Sequence, residues 1–69
     1  MKKLYEVLIN NGEDIFDNLE IYVLIASSSS KEANERAKII SKERFPLNPN
    51  VSFLVLEIEE IDGCKVILE

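Results

Sequence analysis

The chain of 69 residues predicts an α+β domain of order ββαββ: an antiparallel-dominated sheet with one helix packed on one face. Three observations predict it. Strand-length apolar runs occupy residues 4–9, 19–26, 51–61 and 64–68. A single stretch, residues 31–44, carries helical spacing, and it lies between a run of serines and Pro46. Asp62-Gly63 joins the last two runs as a two-residue hairpin turn, because both residues accept positive φ. At this length the chain is one domain, residues 1–69.

The first strand sets Tyr5, Val7 and Ile9 on one face and Leu4, Glu6 and Leu8 on the other. Asn11-Gly12 then signals a turn, either a tight hairpin with a ragged return or one longer loop. In the loop Ile15 and Phe16 then pin the segment to the body. The second strand places Leu19, Ile21, Val23 and Ile25 on one side and Glu20, Tyr22, Leu24 and Ala26 on the other. The third offers Phe53 and Val55 on one face and Leu54, Leu56 and Ile58 on the opposite one. In the hairpin register Ile61 meets Cys64, Glu60 meets Lys65, Glu59 meets Val66 and Ile58 meets Ile67. The opposite charges of Glu60 and Lys65 favour that register. Strands two and three are expected near each other, with the helix as their connection.

The helix has a readable start and stop. Ser29-Ser30-Lys31-Glu32 matches a capping box, in which the Ser29 hydroxyl accepts the Glu32 N–H and the Glu32 carboxylate reaches back to the Ser29 N–H. Glu32 also complements the positive end of the helix dipole. The other serines of the run 27–30 read as a polar, solvated exit from the sheet; the alternatives are phosphorylation or an anion site at the helix N-terminus, and no glycine-rich loop supports phosphate binding there. Pro46 disfavours helix at Phe45 and ends it. The inward stripe is Ala33, Ala37 and Ile40, with Phe45 and Leu47 closing one end of the core and Ile39 pointing away.

Composition excludes several chemistries. The chain has no histidine and one cysteine, Cys64. A Cys–His nucleophile and a zinc site of Cys and His therefore have no partners to form from. Cys64 reads as a small apolar residue beside the turn. Glu13, Asp14 and Asp17 lack the spacing of a calcium loop and offer at most a weak surface cation site. The acidic surface of Glu57, Glu59, Glu60 and Asp62 lies at a hairpin edge. It reads as a charged edge that blocks sheet-to-sheet aggregation, or as a negative recognition surface. No catalytic residue, no metal ligand and no cofactor is expected, and the protein is read as a non-enzyme.

Eight basic residues stand against thirteen acidic ones, a net charge of −5, which argues against nucleic acid as partner. The basic residues Lys31, Arg36, Lys38, Lys42 and Arg44 alternate with Glu32, Glu35 and Glu43 on the helix, the pattern of a solvated face; Arg44, near the inward stripe, is expected to pack its stem and extend its head to solvent. The N-terminal MKKLYEVLI is interrupted by Glu6 and lacks a cleavage motif, and no apolar run reaches membrane-spanning length. With a lone cysteine, these features point to a reducing compartment, the cytoplasm.

One helix covers one face, yet the strands are apolar on both. Tyr22, Leu24, Leu54, Leu56 and Ile58 form a candidate interaction face for a second copy, giving a homodimer, or for another protein. The alternative is that the first loop, the loop 46–50 or terminal residues fold over it. A different function class is also open: Tyr5, Tyr22 and Phe53 as a stacking platform for a small ligand or nucleic acid, which basic surroundings would favour and acidic ones disfavour.

The strings YEVLI (5–9) and YVLIASSSSKEANERA (22–37) resemble small α+β proteins of phages and mobile elements. A similar β-β-α start occurs in DpnD/PcfM-like domains, and anti-CRISPR inhibitors are similarly small and acidic. The resemblance covers residues 4–45 and implies an inhibitor or regulator that occupies a partner's surface, with DNA mimicry as a use for the acidity. It carries over no individual site residue.

Overall fold

The computed structural model describes residues 1–14 and 16–68. The order is β1 (Lys3–Asn10), β2 (Glu20–Ser27), α1 (Ser30–Arg44), β3 (Ser52–Ile58), then a hairpin of β4 (Glu60–Ile61) and β5 (Cys64–Lys65). The fold is α+β, with a three-stranded antiparallel sheet and one helix on one face.

Strand order is β2-β1-β3. β2 and β3 are thus not neighbours, contrary to the sequence expectation. Each is antiparallel to β1, so they run parallel to one another. A helical connection suits parallel strands and has the length to step over one between them. The central place falls to β1, whose Val7 and Ile9 are completely buried beneath α1.

The core lies between α1 and the face bearing Tyr5, Val7, Ile9 and Ile25, with Ala33 and Ala37 from the helix. Ile21, Val23, Ile40, Phe45, Val51, Phe53 and Val55 pack around it. Burying a side chain such as Val7 or Ile9 contributes about 1.5–3 kcal/mol. Ala33 and Ala37 continue into Ser41, also buried, whose hydroxyl donates to the Lys38 carbonyl at 2.8 Å. This run of small residues at i, i+4 and i+8 lets the helix lie close to the sheet. Ser41 escaped the sequence reading because a serine on an apolar stripe reads as polar; its hydroxyl is satisfied within the helix. Arg44 ends the helix exposed.

The first connection, 11–19, is a long loop and not a two-residue turn. Among the described residues of this loop Gly12 alone has positive φ (75°); Asn11 does not. Asn11 is buried and organises the loop instead. Its Nδ2 donates to the Asp17 carbonyl at 2.8 Å, and its Oδ1 accepts the N–H groups of Glu13 (3.2 Å) and Leu19 (3.1 Å). Phe16 is 90% exposed and pins nothing; Ile15 lies outside the described residues. Leu47 is 90% exposed as well, so Phe45 alone of the expected pair closes the core end.

The final hairpin is shorter than its apolar pattern predicted. Asp62 (φ 52°) and Gly63 (φ 81°) make the turn, with Ile61 opposite Cys64 and Glu60 opposite Lys65. The Val66 N–H reaches the Glu59 carbonyl at 2.8 Å, as that register requires. Among the described residues no ladder then joins Ile58 to Ile67, which is 76% exposed. The hydrogen-bonded pattern breaks at Glu59, so β4 and β5 form their own small sheet and do not extend β3.

Candidate functional site

The face of the sheet opposite α1 is open. Alternation along each strand sends Leu4, Glu6 and Leu8 of β1 there, with Tyr22 and Leu24 of β2 and Leu54, Leu56 and Ile58 of β3. The register arranges them in rows: Ala26–Leu4–Ile58, Leu24–Glu6–Leu56 and Tyr22–Leu8–Leu54. Tyr22 is 64% exposed, Leu24 60%, Leu54 53% and Leu56 45%. Ile58 is half-buried, as are the central residues Leu4, Glu6 and Leu8, each flanked on both sides. The five residues expected from sequence therefore share one surface.

Among the described residues the loops leave Tyr22, Leu24, Leu54 and Leu56 exposed. The loop 46–50 instead packs on the first loop. Asn48 Nδ2 donates to the Asn11 carbonyl at 3.3 Å, and the Asn50 backbone comes against Gly12.

Glu6 is the residue that the sequence reading missed as part of this site. It was assigned to the Leu4–Leu8 side, but only the strand order makes that side the middle of the open face. Its carboxylate-bearing side chain stands between Leu24 and Leu56 across the sheet and between Leu4 and Leu8 along the strand.

The aromatic platform is not assembled. Tyr5 is buried beneath the helix and Phe53 is half-buried on that side, while Tyr22 stands on the other face. Odd-numbered positions of β1 and β3 point to α1, but on β2 the even-numbered Tyr22 points away from it. The surroundings of Tyr22 are acidic. Its hydroxyl donates to Glu20 Oε1 at 2.8 Å. That hydrogen bond, followed by the Glu20 charge, raises the phenol above its ordinary 10.0, with a smaller push from Glu6.

At the helix start, Ser29 Oγ accepts the Glu32 N–H at 3.2 Å, the expected cap. The reciprocal half of the box differs: the Glu32 carboxylate takes the Ser28 hydroxyl at 2.6 Å and the Ser27 hydroxyl at 3.4 Å. The Ser28 bond is the main cause that lowers the Glu32 pKa, with Ser27 and the Arg36 charge adding to it against partial desolvation. The serines are thus more than a solvated exit. Ser27 is fully buried. Arg36 Nη1 donates to Ser27 Oγ at 3.4 Å and to the Ala26 carbonyl at 2.6 Å, tying α1 to the end of β2.

The acidic residues do not converge. Glu57 lies on the helix side of β3 and pairs with Lys3 at 3.5 Å. Glu59, Glu60 and Asp62 are exposed about the hairpin, and Cys64, beside the turn as expected, is exposed too. In the first loop Asp14 Oδ1 accepts the N–H groups of Phe16 (3.0 Å) and Asp17 (3.2 Å), shaping a turn. Among the described residues no group of carboxylates and cysteine is placed to hold a metal ion. An open groove of about 1210 Å³ runs between the N-terminal residues and the hairpin, past Lys3, Ile58, Lys65 and Val66. Among the described residues no helix is long and apolar enough to cross a membrane.

No family model, curated protein or solved structure matches the chain.

Proposed function

We propose that this protein is a non-enzymatic protein-binding module that acts by occupying a partner's surface with the open face of its sheet. One observation carries the reading: Tyr22, Leu24, Leu54 and Leu56 stay exposed together on a single face of a small antiparallel sheet. A sheet with one wet face ordinarily alternates apolar and polar residues, and large contiguous apolar patches mark interaction sites. The acidity, the size and the resemblance to phage and mobile-element proteins support an inhibitor or regulator of another protein. The unpaired Cys64 supports work in a reducing compartment, the cytoplasm.

A second reading is a homodimer through the same face, favoured by the small core of a domain this size. Light scattering tests both readings, using the wild type and Leu24→Asp over a range of concentrations. A mass above 7.9 kDa that falls in Leu24→Asp supports self-association. A monomer that captures a partner through the face, and loses it in Leu24→Asp, supports the hetero-complex. Binding undisturbed by Leu24→Asp overturns the assignment of the face.

A further inference from the structure

We infer that the occupant of the open face is a different protein that sets a cationic side chain, an arginine ringed by apolar groups, onto Glu6. The inference rests on the proposed protein-binding role of this face and names the chemistry of its partner. Glu6 stands in the middle row between Leu24 and Leu56, with Leu4 and Leu8 above and below it. Any surface that covers those leucines also covers the carboxylate. A carboxylate taken from water without a partner is strongly disfavoured, so a stable complex requires a cation or several donors there.

The strands supply no such cation on this face; Lys2, Lys3 and Lys65 line the groove beside Leu4 and Ile58, at the edge of the sheet and away from the middle row. The strand positions on this side, in alternate steps from Leu4 to Asn10, Glu20 to Ala26 and Ser52 to Ile58, hold two carboxylates, Glu6 and Glu20, and no basic side chain. Two copies meeting face to face would therefore bring no strand-borne cation of this face onto Glu6. Arginine suits the site better than lysine. Its stem packs along leucine while the planar fork gives a carboxylate two parallel hydrogen bonds. Glu6 therefore acts as a selectivity element: it rejects purely apolar partners, a second copy included, and accepts those with a matching charge.

Two amphiphiles with the same tail test this on the full chain by amide chemical-shift mapping: decylguanidinium and the neutral decyl maltoside, both below micelle formation. Decylguanidinium is expected to shift the amides of Leu4, Glu6, Leu8, Leu24 and Leu56. Its affinity should fall about five- to tenfold in Glu6→Gln, and much less in Glu20→Gln or in Glu35→Gln on the helix. Decyl maltoside, which brings no cation to the carboxylate, should bind the face more weakly in the wild type than in Glu6→Gln. Retained dispersion of the amide spectrum establishes that each variant is folded. If Glu6→Gln leaves the guanidinium affinity unchanged, or Glu20→Gln and Glu35→Gln weaken it equally, the inference falls while the protein-binding face stands. If neither amphiphile perturbs the face, both fall. Dissociation of a pre-existing dimer by decylguanidinium would assign the face to a second copy and overturn the inference.

Discussion

Gly12 lies so close to the backbone of Asn50 that a β-carbon at residue 12 would overlap the Asn50 carbonyl. Its φ of 75° is also in the region that side chains disfavour. Gly12→Ala should therefore destabilise the fold by about 1–3 kcal/mol, from strain and from separation of the two loops. Asn11→Ala, which removes three side-chain hydrogen bonds, should cost about 2 kcal/mol. Urea unfolding measures both. These loops hold each other at one end of the domain and away from the open face, so loss of stability should leave the Leu24 surface unchanged in the folded fraction.

The serine run gives a ranking that a linker or a solvated exit would not produce. Ser29→Ala loses the cap on the Glu32 N–H and should cost about 1 kcal/mol. Ser27→Ala removes a buried hydroxyl between Glu32 and Arg36 and should cost at least about 1 kcal/mol. The exposed Ser30, whose backbone carbonyl serves Asn34, should tolerate alanine within about 0.5 kcal/mol. Equal effects at Ser27, Ser29 and Ser30 in thermal unfolding would contradict these roles.

Much of the fold was legible because local rules sufficed for it. Ser29 with Glu32 fixed the helix start, Pro46 its end, and Asp62-Gly63 the last turn. Strand alternation also placed Tyr22, Leu24, Leu54, Leu56 and Ile58 on common faces of their strands. The strand order was not legible, because it depends on which strand the helix steps over, a non-local choice. That choice is what makes Glu6 the centre of the site. The Asn11-Gly12 pair left a tight turn and a longer loop open, and the side-chain bonds of Asn11 to residues 13, 17 and 19 decide for the loop. The apolar residues Phe16 and Leu47, read as packing residues by their type, have their side chains exposed, and Ile67, expected opposite Ile58, is exposed as well.

The lowered pKa of Glu32 predicts a pH dependence with a definite sign. A carboxylate held below its ordinary value near 4.5 contributes stability that is fully present above that value. The contribution is lost as pH falls through the folded-state pKa. The stability difference between the wild type and Glu32→Gln should thus be constant from neutral pH to about 5 and shrink in more acid solution. A difference that does not change down to pH 3 would remove the Ser28–Glu32 bond from the account of helix initiation.

Tyr22 makes the converse case. Its hydroxyl donates to Glu20, so the neutral phenol is favoured and ionisation is delayed beyond 10.0. That contribution is present below pH 10 and lost as pH rises through the higher folded value. Tyr22 ring resonances followed by NMR should titrate later in the wild type than in Glu20→Gln. Coincident curves would mean that the hydrogen bond does not persist in solution.

The sharpest separation of folding from function is expected at Glu6. It occupies the middle of the central strand, where a leucine suits a pleated, half-buried surface better than a carboxylate does. Glu6→Leu should therefore leave the fold intact and raise its stability by up to about 1 kcal/mol. It would also make the open face continuously apolar from Tyr22 across to Ile58, the kind of surface that associates without selectivity. Thermal unfolding and light scattering of the same samples decide the matter. A higher melting temperature together with concentration-dependent association identifies Glu6 as a residue kept for partner selection at the expense of stability. A lower melting temperature without association would make it a structural residue and leave the open face without its selectivity element.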